Sequence, residues 1–181
     1  SFGFYNPSLV ASLTQPRVFA LAGYSYRRAG PLVDGAGRAM TDYANYREPQ
    51  RNGQAFSAGT GWFRAGGSPA ESQRLAFGYT RQHAGRTLFP YLQMDALYDD
   101  ADRAHLSWQA QRLGRLEHLR AQGYFTRVRH WMTDEWRTTS TGAPRPFAMA
   151  TFAETRTIGG RVDGEFSAFT AGFEGYRRNW D

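Results

Sequence analysis

Along most of this chain apolar and polar residues alternate with a period of two, and helical spacing is scarce. That pattern commits a chain to strands with two chemically different faces. In 73–82, Leu75, Phe77 and Tyr79 share one parity against Arg74, Ala76, Gly78 and Thr80. In 104–111, Leu106, Trp108 and Ala110 oppose His105, Ser107, Gln109 and Gln111. In 118–132, Leu119, Ala121 and Phe125 oppose His118, Arg120, Gln122, Tyr124, Thr126, His130 and Met132. In 155–165, Ile158 and Val162 oppose Thr157, Arg161, Asp163 and Glu165. Aromatic residues at 15% and 20 Gly suit strands joined by turns.

The connections narrow the choice of architecture. Short turns are expected at 14–17, 65–71, 113–116 and 164–167, and long polar segments at about 29–52, 83–101 and 133–148. Short and long connections alternate, which gives about eight strands arranged as hairpins. A soluble β-sandwich spaces its strands more evenly. A transmembrane β-barrel has short turns at one end, long loops at the other, and strands with one face toward lipid and one toward an aqueous lumen. The fold expected here is therefore all-β: an antiparallel meander of about eight strands that forms part of the wall of a large transmembrane barrel. Trp62 and Phe63 beside a short turn, and Tyr79, Trp131 and Trp136 near long loops, stand where aromatic girdles form.

Composition removes other classes. The chain has no Cys, so disulfide scaffolds, Cys-based zinc sites and Cys nucleophiles are excluded. No apolar run reaches the length of a transmembrane helix. All 22 basic residues are Arg and the formal charge is +6, yet they are dispersed rather than gathered into a basic face, so no nucleic-acid partner is expected. No nucleophile-elbow, zincin or phosphate-loop pattern occurs, and no enzymatic role is expected.

His130 and Met132 are the candidate metal ligands. Two residues apart on a strand, they point to one face, by parity the lumenal one, with Cα atoms about 7 Å apart. A thioether favours Cu(I), and imidazole suits copper generally. The alternative is a pair of ordinary residues near the rim. All four Met residues, at 40, 94, 132 and 149, lie in long segments or at their edges, so Met94 and Met149 are secondary candidates. Asp99, Asp100 and Asp102 could bind a hard cation, although carboxylates in a solvated loop are the plainer reading. His83, His105 and His118 are isolated in sequence, the last two expected to face water. By parity Arg120 and Arg161 face the lumen, where carboxylates or anionic ligands could pair with them. Arg127 and Arg129 fall on the lipid-facing parity. Either they lie above the apolar band or a bulge switches the parity, and the lumenal place of His130 depends on which.

The run Ser1-Phe2-Gly3-Phe4-Tyr5-Asn6-Pro7 resembles the first barrel strand of the TonB-dependent outer-membrane receptors, just after their plug domain. Residues 22–27 and 42–46 are similar to the second strand and first long loop of that family. The runs 89–100 and 130–134, continued by 148–151 and 159–161, resemble the branch that includes the TonB-dependent copper receptors. The likeness covers essentially the whole of 1–181 and implies a barrel segment without the plug, the TonB box or the remaining strands, about a third of a barrel of roughly 500 residues. It implies active import across the bacterial outer membrane, with energy delivered through TonB to the plug, and a metal ion or metal chelate, copper first, as cargo. The His-x-Met of that branch matches His130 and Met132, and the resemblance implies that the other ligands come from the plug. No cofactor is expected beyond copper as a transported ligand, and outer-membrane lipid is an expected partner. A ferric-siderophore or cobalamin receptor, a self-contained eight-stranded barrel of structural or adhesive role, and a soluble β-sandwich are the alternatives.

Overall fold

A computed structural model describes residues 3–140 and 147–181. Eight strands form one antiparallel sheet in sequential order: β1 (Ser8–Thr14), β2 (Val18–Ala29), β3 (Phe56–Gly67), β4 (Gln73–Thr87), β5 (Asp95–Leu113), β6 (Leu116–Thr133), β7 (Ala150–Glu165) and β8 (Thr170–Trp180). Among the described residues helix is confined to a 3-10 turn at Met40–Tyr43 and to α1 (Glu48–Arg51), which carries Pro49 in its first turn. This is the all-β meander expected from the sequence, with the architecture of a partial barrel wall. The short turns fall where the Gly and Pro signals lie. At the β5–β6 turn Leu113 pairs with Leu116 and Gly114 takes φ +64, a conformation open to Gly without strain.

Residues that would fill a soluble core are on the surface instead. Leu75, Phe77, Leu106, Phe125, Ile158, Val162 and Phe173 share one face and are all exposed, Ile158 at 62% and Phe173 at 77%. The buried apolar residues are mainly Ala, with Tyr46 and Leu88. An apolar surface this extensive needs an apolar neighbour, which argues against the soluble sandwich. The opposite face carries Arg74, Gln109, Arg120, Gln122, Arg161 and Glu174.

On the polar face rings lie over glycines of adjacent strands. Trp62 covers Gly23, His105 covers Gly78 and Tyr124 covers Gly159; a Cβ at any of the three glycines would meet its ring at 2.2–2.5 Å. Such ring-over-glycine contacts pin strand register. His105 and His118 are both exposed, as expected. Trp62 is a correction to the girdle expectation, because neighbours in a strand point to opposite faces and only Phe63 lies on the apolar side. Phe63 meets Phe77 and Tyr79 there, with ring centroids 5.5 and 6.1 Å apart.

The strands differ from expectation at their outer ends. β4 and β5 run on through most of the segment assigned to a loop at 83–101, leaving 88–94 as the connection. Asp99, Asp100 and Asp102 therefore stand in a strand, not in a solvated loop, and Asp100 is buried. Of the expected 133–148 segment, residues 141–146 lie outside the described residues. Ser1 and Phe2 of the Ser1–Pro7 run also lie outside them, and β1 begins at Ser8, preceded by a single bridge between Tyr5 and Arg28.

Candidate metal-binding site

β6 keeps one parity along its whole length. Its register with β7 is unbroken from His118↔Glu165 to Thr133↔Ala150. The irregularity lies in β5, between Ala96 and Tyr98, above the charged residues. Arg127 and Arg129 thus share the face of Phe125, beyond the apolar band, and His130 and Met132 share the opposite, polar face.

His130 stands across from Asp99 on β5 and Ala153 on β7; Met132 stands across from Ala96 and Thr151. Three of these four neighbours are Ala or Thr, so the two side chains lie on a shelf with short walls. His130 is 31% exposed, and its Nδ1 lies 3.0 Å from Asp99 Oδ2. A carboxylate oxygen accepts, so Nδ1 donates to it, and in the neutral ring this leaves the Nε2 lone pair free. That tautomer is the one a metal ligand needs, with the carboxylate fixing the ring. Asp99 escaped the sequence reading as a partner of His130 because only the β5–β6 register brings the two together.

The other candidates separate from this pair. Met149 exchanges backbone contacts with Asp134, donating its N–H to Asp134 Oδ1 at 2.7 Å, at the head of the β6–β7 ladder. Met94 immediately precedes Asp95, and Met40 lines an apolar cavity. His83 Nδ1 lies 2.5 Å from Asp100 Oδ1. Among the described residues no group of three or more His, Cys, Asp or Glu lies close enough to hold a metal. His130 and Met132 make at most half a coordination sphere.

At the loop end of β5 the long connections are fastened to the sheet. Asp95, fully buried, accepts from Tyr46 Oη at 2.5 Å, from Arg137 Nε at 2.9 Å and from the Phe89 backbone N–H at 2.7 Å. Arg137 also donates to Tyr46 Oη and to the Phe89 carbonyl, and its guanidinium stacks 3.8 Å from the centre of the Tyr46 ring. One carboxylate thus ties residues 46, 89 and 137, from three connections, to the end of β5. Burial, and then the hydrogen bond to Asp95, push the Tyr46 hydroxyl well above its ordinary value, so it remains a donor.

Between the first two of these connections lies a cavity of about 390 Å³ walled largely by apolar groups, among them Leu32, Met40, Tyr43, Phe56, Phe89 and Tyr91. Its rim is held by Asp34, which accepts from Tyr43 Oη at 2.5 Å and from the backbone N–H groups of Ala36 and Arg38 at 2.9 Å each. The Tyr43 hydrogen bond, then that from Arg38, hold the Asp34 carboxyl below the usual carboxylate range. A folded pKa below the unfolded one contributes stability above the unfolded value, and that contribution is lost as pH falls through the folded value. Amide protection at Ala36 and Arg38, taken relative to the intrinsic exchange rate at each pH, should therefore stay constant from pH 7 down to about 4 and fall below it. Hydrogen exchange across that range checks this.

These features define a partial β-barrel wall with one polar and one apolar face and with its long connections tied to the end of β5. No protein-family model matches the chain, and no curated protein does. Among solved structures it is similar to the copper transporter OprC, with a TM-score of 0.81 and 19% identity over 98% of this chain and 26% of that one. The likeness establishes the shared fold, and the chain spans about a quarter of that transporter's length.

Proposed function

We propose that this chain is part of the barrel wall of a bacterial outer-membrane receptor that imports a metal ion or metal chelate, copper first, with TonB as its energy source. The observation that carries the reading is His130 and Met132 side by side on the polar face, with Asp99 presetting the imidazole. An imidazole nitrogen and a thioether form a donor set suited to Cu(I). The short side chains beside Met132 leave room for further ligands from the plug domain that the family resemblance implies. The exposed apolar face suits lipid, and the similar solved structure is that of a copper transporter.

The test is Cu(I) binding under reducing conditions by the full-length protein, with His130→Ala, Met132→Ala and Asp99→Asn variants. Either ligand substitution should abolish stoichiometric binding. Asp99→Asn should weaken it about 10–100-fold, as loss of a second-shell partner does. Unchanged binding in both ligand variants would sink the copper reading.

One observation favours a second cargo. The 390 Å³ cavity, with Tyr43, Phe56, Phe89 and Tyr91 in its walls, suits a bulky organic chelate better than a bare ion. If a ferric siderophore is the cargo, uptake survives His130→Ala and Met132→Ala and falls when Tyr91, 80% exposed, is replaced by Ala.

A further inference from the structure

The apolar face carries a belt of charge where its apolar band ends. On β4 to β7 the rows Leu75/Trp108/Ala121/Val162, Phe77/Leu106/Gly123/Gly160 and Tyr79/Ala104/Phe125/Ile158 are followed, toward the long loops, by Arg81/Asp102/Arg127/Arg156 and His83/Asp100/Arg129/Glu154. A tilted strand crosses the hydrocarbon in about 9–11 residues. Counted from the short turns at Gln73, Leu113, Leu116 and Glu165, that length ends beside this belt on all four strands. The charges therefore stand at the level of lipid headgroups.

Within the belt the carboxylates form the floor and the cations the surface. Asp100, Asp102 and Glu154 side chains are 12%, 14% and 6% exposed, whereas Arg81, Arg127, Arg129 and Arg156 are 50%, 34%, 28% and 53% exposed. Arg81 binds Asp102 at 3.0 Å, Arg129 binds Asp100 at 3.1 Å, Arg127 binds Glu154 at 2.7 Å, and Arg156 also binds Glu154. The acids hold the guanidiniums in place without using all their donors, since each offers five. Above the belt, Tyr98, Trp131 and Phe152 form an aromatic cluster with centroids 5.8–6.3 Å apart, Trp131 and Phe152 being 36% and 43% exposed. Such rings favour a boundary between apolar and wet surroundings.

We propose that this belt binds the phosphate groups of outer-leaflet glycolipid headgroups, with Arg81, Arg127, Arg129 and Arg156 as the phosphate donors. Guanidinium and phosphate make charge-assisted, fork-shaped hydrogen bonds. Four cations over three acids leave the surface net positive, as an anionic headgroup requires. The inference rests on the outer-membrane reading above but not on the cargo.

The full-length protein would be reconstituted into phosphatidylcholine nanodiscs containing either a bis-phosphorylated glycolipid or its dephosphorylated form, and bound glycolipid counted by native mass spectrometry. The wild type should retain the phosphorylated form about tenfold or more over the phosphate-free one. Arg81→Gln/Arg156→Gln should abolish most of that preference. This pair leaves the acids partnered, because Arg127 still meets Glu154, Arg129 still meets Asp100, and Tyr79 Oη still meets Asp102. Arg127→Gln/Arg129→Gln should do the same, with heat-modifiable migration confirming the fold. Insertion with no preference for phosphate, or an undiminished preference in the folded variants, overturns the proposal alone. Failure to enter any bilayer overturns both it and the outer-membrane reading.

Discussion

Replacing Arg137 with Ala should release three connections at once, at a cost of about 3–5 kcal/mol to their folded arrangement, because it strands a buried carboxylate. Asp95 is fully buried and would keep only the Tyr46 hydroxyl and the Phe89 N–H. The same guanidinium holds the Tyr46 ring and the Phe89 carbonyl, so the loss spreads beyond one ion pair. The strand ladder is independent of these contacts and should survive. Hydrogen exchange would show the change as lost protection at Arg47 and Thr138, whose N–H groups donate to the carbonyls of Trp136 and Asn45 across the loops. Asp95→Leu combined with Arg137→Met should recover much of the loss, since no charge is then left buried. Unchanged protection at both amides in Arg137→Ala would mean that the loops are held elsewhere.

Gly66→Val should damage the other end of the sheet. A Cβ on Gly66 would sit 2.5 Å from the Leu75 carbonyl oxygen and 2.8 Å from the Phe19 ring. The ring can turn aside, but the carbonyl belongs to the β3–β4 ladder and moves only with its strand. Overpacking of this kind costs about 1–3 kcal/mol, and a clash with backbone stands at the upper end of that range. Gly123→Val is the matching control. Nothing lies nearer its Cβ than Gly159 O at 4.0 Å, and the position faces the apolar side. Heat-modifiable gel migration, scanned over temperature, should show a lower unfolding midpoint for Gly66→Val and almost none of that shift for Gly123→Val. Equal midpoints would contradict the register assigned to β3 and β4.

The features legible in the sequence were those with a local period. Alternation in 73–82, 104–111, 118–132 and 155–165 fixed the faces of β4 to β7, and Gly and Pro marked the short turns. The outward extension of β4 and β5 was hidden because Arg81, His83, Asp100 and Asp102 break the apolar alternation. In the structure these residues pair across the ladder, as Arg81↔Asp102 and His83↔Asp100. Trp62 departs from the girdle pattern because parity relative to Phe63, not residue type, decides which face a strand residue takes. Of the candidate site, the His130–Met132 spacing needed only a strand. Asp99 needed the register between two strands. Tyr46, Asp95 and Arg137 are separated by 49 and 42 positions and belong to no local pattern, so nothing short of the fold could assemble them.

The most direct measurement is the membrane exposure of alternate β6 residues. Single Cys residues can be placed at 121 to 126, in a stretch with no Cys of its own, and labelled with an environment-sensitive fluorophore in the full-length protein in bilayers, any Cys elsewhere being replaced by Ser. Labels at 121, 123 and 125 should be quenched by lipid-borne quenchers, and those at 122, 124 and 126 by aqueous ones. Aqueous quenching at all six positions, or the opposite alternation, would contradict the assignment of the apolar face to lipid and of His130 and Met132 to the lumen.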